Sequence, residues 1–153
     1  MKPLTKAGIV LGLGLGGFVD GIVLHQILGW HHLICTTDTC QVQTVEALKT
    51  QNTQDGFFHL VTWLLTAGGV AMLFRAARDR SQIWAGRGLF GAMLAGWGVF
   101  NLGEGLLAHQ ILGLHHVLPG HPHQLLFDLL YLAAGIVFVL VGSSLARGAP
   151  RRG

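Results

Sequence analysis

The sequence predicts an all-α membrane protein, with four transmembrane helices in one bundle built from two parallel helix-hairpin repeats about a pseudo-twofold axis along the membrane normal. Three observations carry this expectation. Of the 153 residues, 51% are hydrophobic and only 11% charged, where soluble domains carry about 25% charged residues, and the mean hydropathy is clearly positive. Four apolar runs, roughly 7–28, 57–74, 88–107 and 124–145, each approach the ~20 residues a helix needs to cross the hydrocarbon core. Helices are the expected choice because a lipid-exposed segment must satisfy its own backbone. Lastly, the segment from Asp20 to His32 is repeated from Glu104 to His116: Gly21, His25, Gln26, Ile27, Leu28, Gly29, His31 and His32 recur at Gly105, His109, Gln110, Ile111, Leu112, Gly113, His115 and His116, with an acid at each head. Such self-similarity marks a duplicated unit.

The whole chain, 1–153, then reads as one transmembrane domain, with repeat one at 7–80 and repeat two at 87–147. The first run follows Lys2 and Lys6, but it is too long for a signal-peptide core, lacks a small-x-small cleavage site and holds Asp20 and His25, so it reads as a retained span. Gly8, Gly12 and Gly16 stand four residues apart within it, with Ala92, Gly96 and Phe100 as counterparts in run three. Small residues at this spacing let backbones approach closely, which predicts that spans one and three pack together. Outer loop 30–56 is polar and contains both cysteines, Cys35 and Cys40. On an oxidising side they read as a structural disulfide, with a redox pair or soft-metal ligands as alternatives. Span two opens with Asp55 and His59, and span four carries Asp128 after His121 and His123.

Charge sets the expected orientation. Lys2 and Lys6 precede span one, Arg75, Arg78, Arg80 and Arg87 surround the connection between spans two and three, and Arg147, Arg151 and Arg152 follow span four, whereas the other two connections carry only Lys49. The positive-inside rule places both termini in the cytoplasm. The slight basic excess is this asymmetry, and there is no nucleic-acid footprint. All nine histidines fall at the outer ends of spans or in outer loops.

Asp20 and Glu104 are the costliest residues, near mid-bilayer depth, and Asp128 is a third acid within a span. An ionised carboxylate there costs several kcal/mol unless paired, protonated or metal-bound. On a straight α-helix Asp20 and His25 stand about 140° apart, so ligands for one ion are expected to come from several helices. The expected core site is His25, His109, His59 and Asp128, with Asp20 and Glu104 beneath it, and with His31, His32, His115, His116, Gln26, Gln110 and Asp55 at the mouth or in support. Imidazole with carboxylate and almost no thioether suits Cu(II), Zn or Fe. An enzyme built on it would be a metal-dependent oxidoreductase. Haem held by His25 and His109 is the rival cofactor.

The paired D/E-G-x3-H-Q-x-L-G-x-H-H segments and the Asp55-Gly-x-Phe-His-x3-Trp63 opening of span two resemble an uncharacterised bacterial family of small four-helix membrane proteins, a domain of unknown function. The resemblance implies a multi-pass protein of the bacterial inner membrane and an association with respiratory oxidase assembly components. Three functional classes follow from the residues: a metalloprotein with a redox or metal-handling role, a haem-binding electron carrier or quinone oxidoreductase, and a proton- or ion-coupled transporter. The transporter reading predicts a homo-oligomer, since four spans leave little room for alternating access.

Overall fold

A computed structural model describes residues 2–35, 44–78 and 85–148. It is all-helical: α1 (Pro3–Val19), α2 (Val45–Arg78), α3 (Gly86–Glu104) and α4 (Gln124–Arg147), with no strand among the described residues. Proline at the first position of α1 supplies a pre-set φ where no donor is needed. α1 and α3 do not end where their α geometry ends: each runs on as a π-helical segment, Asp20–Ile27 and Gly105–Ile111.

Among the described residues, three helices are long and apolar enough to cross a membrane, Pro3–Ile27, Val45–Arg78 and Gln124–Arg147. α3 is not among them. Its many Gly and Ala residues, with Asn101 and Glu104, dilute its hydropathy, and they suit it to the position it occupies, between α1 and α4. The spatial order is α2, α1, α3, α4, with close packing between each neighbouring pair. Large apolar side chains on α2 and α4, such as Phe57, Val61, Leu64, Phe74, Leu126, Leu130 and Leu140, face outward. The interior contains few large apolar groups. It is built from Ala7, Leu11, Ala92, Ala95 and glycines, with a polar cluster at one end.

The α1–α3 contact depends on the missing side chains. A Cβ on Gly8 would lie 2.6 Å from the Ala92 side chain, one on Gly12 would collide with the Met93 backbone, and one on Gly96 with the Ile9 backbone. Gly8 therefore meets Ala92 at one end, while His31 lies beside His109 at the other, so α1 and α3 run in the same direction. Gly69 on α2 admits Leu11, and Gly142 on α4 admits Ala95, in the same way. Because Gly96 opposes backbone, which cannot rotate away, Gly96→Val is expected to destabilise the bundle by about 3 kcal/mol, the upper end of the usual overpacking range; thermal unfolding in detergent measures this.

One boundary differs from the sequence expectation. The polar stretch before Asp55 is helix, so α2 starts at Val45 and the connection before it is shorter than the expected 30–56. Thr44 caps it, its Oγ1 accepting from the Ala47 N–H at 3.1 Å, and the following Glu-Ala-Leu-Lys sequence favours helix. Asp55 thus sits well inside α2 rather than at its start. Cys35 is buried and disulfide-bonded; Cys40 lies outside the described residues.

Candidate metal centre

The two π segments decide how the duplicated residues meet. A π turn closes i to i+5, so residues five apart share a face, which an α-helix does not allow. Asp20 and His25 consequently come together on one helix, with Oδ2 and Nε2 3.3 Å apart. Glu104 and His109 do the same at 3.0 Å. The α-helical expectation that Asp20 and His25 stand on different faces is thereby corrected.

Gly29 and Gly113 end the π segments, both with φ +58°. Trp30 N–H reaches back to the Leu24 carbonyl and Leu114 N–H to that of Ala108, each at 2.9 Å, a cap one residue longer than the usual left-handed helix ending. The reversal returns the next residue but one to the helix end: Asp20, His25 and His31 form one compact group of ligand-type atoms, and Glu104, His109 and His115 form another. No atom crowds a Cβ at Gly29, so Gly29→Ala isolates the conformational cost. It is expected to lower stability by about 1–2 kcal/mol and to loosen His31, measurable by thermal unfolding and by metal affinity.

The groups lie against each other. His31 and His115 stack with ring centroids 4.5 Å apart and planes 10° from parallel. Each is tied to the opposite loop: His31 Nδ1–H donates to the Val117 carbonyl at 2.8 Å, and His115 Nδ1–H to the Leu33 carbonyl at 3.0 Å. A carbonyl only accepts, so these bonds place a proton on each Nδ1; His31 Nε2 is then left without a partner, while His115 Nε2 is hydrogen-bonded to Glu104 Oε1. Burial, reinforced by the neighbouring imidazoles of His115 and His25, pushes the His31 pKa down to about 3, so the ring is neutral at physiological pH.

Asp55 and Asp128 support the groups from α2 and α4. Asp55 accepts from His25 Nδ1 at 3.0 Å, His32 Nδ1 at 2.6 Å, Gln26 Nε2 at 3.1 Å and the Leu33 N–H at 2.9 Å. Asp128 accepts from His116 Nδ1 at 2.6 Å, Gln110 Nε2 at 3.4 Å and the Val117 N–H at 2.9 Å, and lies 3.5 Å from His109 Nδ1. Both carboxylates are almost wholly buried. Against this geometry, the sequence-derived sets divide differently. His31 and His115 join the inner groups, His32 and His116 hold the supporting acids, and Asp128 stands behind His109 in the role Asp55 plays for His25. His59 is in neither group; it lies against Gly21 and Phe18.

The remaining lone pairs are the telling feature. Asp20 Oδ2, His25 Nε2, His31 Nε2, Glu104 Oε2 and His109 Nε2 are all buried with no hydrogen-bond partner. Glu104 Oε1 faces His109 Nε2 at 3.0 Å and His115 Nε2 at 2.7 Å. Buried acceptors aimed at one another are unfavourable unless a proton or a metal cation joins them. Imidazoles whose far nitrogen donates to a carboxylate or carbonyl are the arrangement found behind metal-ligating histidines.

Tyr131 was not singled out by sequence reasoning. Its ring packs on His109 at 5.5 Å, while its hydroxyl donates to Asp20 of the other group at 3.3 Å. The available signal was that it is the chain's single tyrosine, one turn beyond Asp128 on an otherwise apolar helix. Buried Asn101, one turn before Glu104, is likewise a lone amide in an apolar run.

A helical bundle able to span a membrane, with two buried His/carboxylate groups that could hold a metal, defines the class: a multi-helix membrane protein with a polar centre at one end. The chain belongs to the family described as "Predicted membrane protein (DUF2243)", which it matches over residues 7–149. No curated protein and no solved structure matches it.

Proposed function

We propose that this protein holds two transition-metal ions, one in each His/carboxylate group, at the outer end of a four-span bundle in a bacterial inner membrane, and that the centre has a redox or metal-handling role. The observation that carries the reading is the set of orphaned, buried lone pairs. In each group one ligand-type atom from the carboxylate and one from each of two imidazoles lie within 4.8 Å of one another, and the Nδ1 atoms of His25, His31 and His115 face acceptors that place a proton there. Nitrogen and oxygen donors without thioether or thiolate favour Cu(II), Zn or Fe over Cu(I). Each Nε2 of His25 and His109 faces its own helix's carboxylate, which favours a bare ion over an axially ligated haem.

The proposal keeps the pseudo-twofold arrangement of two hairpin repeats, supported by matched contacts: Asp55 with Asp128, Gly29 with Gly113, and Gly69 with Gly142 serve equivalent positions. It also keeps both termini in the cytoplasm on the positive-inside argument. The test is elemental analysis with X-ray absorption on purified protein. Two ions per chain with a nitrogen/oxygen shell and no sulfur shell are expected; protein that neither retains nor rebinds any transition metal overturns the reading.

A proton relay is the second reading, favoured by the chain of contacts from buried Asp20 through His25 and Asp55 to partly exposed His32. It predicts proton-coupled flux in liposomes that Asp55→Asn abolishes in metal-free protein.

A further inference from the structure

Directly beside the first group, α1, α3 and α4 line a half-open cavity of about 210 Å³ whose lining includes Val19, Asp20, Trp97, Asn101, Tyr131 and Phe138. We propose that this cavity binds a small single-ring aromatic amphiphile taken from the bilayer, of the hydroquinone class, with its hydroxyl on Asn101. The inference deepens the metal reading by naming the class of molecule that would sit beside the centre, but the binding itself needs no metal.

Four features combine. The volume is below the 300–1,000 Å³ of sites for drug-sized ligands, so it suits a single ring. The walls offer Trp97, Tyr131 and Phe138 to an aromatic ring. Two polar residues stand in the lining: Asp20 and Asn101 are each 5% exposed, and Asn101 Oδ1 is buried with no hydrogen-bond partner. An unpaired buried amide oxygen calls for a donor. A hydroxyl supplies one and a quinone carbonyl does not, so the reduced form is the better ligand. Finally, Val19 is 41% exposed on the rim, within a helix long and apolar enough to span a membrane, so entry is from the lipid side rather than from water.

The experiment titrates purified protein in detergent, both as isolated and metal-stripped, with tetramethylhydroquinone and with tetramethylquinone by anaerobic calorimetry. One-to-one saturable binding of the hydroquinone is expected, at least tenfold tighter than the quinone. Ala134→Leu, which fills the cavity, and Asn101→Leu are each expected to weaken it at least tenfold while leaving metal content unchanged. No saturable binding by the wild type, or undiminished binding by both folded variants, overturns the proposal. Should the variants not fold, a photoreactive azidoquinone on the wild type decides: crosslinks on the cavity residues of α1, α3 and α4, displaced by the hydroquinone, support it, and crosslinks spread over the outer face of α2 refute it. Hydroquinone binding by protein that takes up no metal would remove the metal centre and leave this site standing; metal without hydroquinone binding would do the reverse.

Discussion

Replacing His25 with alanine is expected to leave one metal ion per chain where the wild type holds two, His109→Ala to do the same from the other side, and the double variant to bind none above background. Independence is expected because Asp20, His25 and His31 come from one helix end and its cap, and Glu104, His109 and His115 from the other. Coupling enters where the groups touch, at the stacked His31 and His115 rings. The second ion should therefore bind more weakly in each single variant, by a factor that competition with a chelator measures. Loss of both ions from a single variant would instead mean one shared site. Full occupancy in the double variant would mean that the metal is elsewhere.

Asp128→Asn is expected to be the most damaging conservative substitution in the chain, with Asp55→Asn close behind. Asp128 is wholly buried and gathers His116, Gln110, the Val117 N–H and His109 around one carboxylate. An amide keeps the volume but turns one acceptor oxygen into a donor aimed at other donors. Breaking a buried charged network from one side costs about 3–5 kcal/mol, and the loss of second-sphere orientation costs a further 10–100-fold in metal affinity. Thermal unfolding of the metal-free variant isolates the first effect, and chelator competition on the surviving fold the second. A variant as stable as wild type would show the carboxylate to be protonated, its bonds neutral and replaceable.

Much of this was legible in the residues themselves. Apolar run length announced helices able to span a bilayer, and the four-residue glycine spacing announced the close approach of α1 and α3. The duplicated acid and histidines marked the two halves of the centre. The ligand grouping was not legible, because a helical wheel assumes 3.6 residues per turn. At that period Asp20 and His25 diverge, and only the π segments restore them to one face. No residue in Asp20–Ile27 advertises a π turn, since the extra residue is held by the Gly29 cap and by Asp55 pulling on His25. His59 was misleading for a related reason. It lies near the acids in sequence register, yet its helix turns it toward Gly21 and Phe18.

What the sequence by itself determined is therefore the medium and the inventory: a chain too apolar and too poorly charged for water, with its imidazole groups concentrated at one end of its helices. Only the tertiary structure decided which of those atoms share a site. Ligand geometry is set by turn period, by the left-handed caps after Ile27 and Ile111, and by carboxylates delivered from neighbouring helices. The caps are local, but the carboxylates come through contacts between residues far apart in the chain, Asp55 with His25 and Asp128 with His109, which no local pattern encodes.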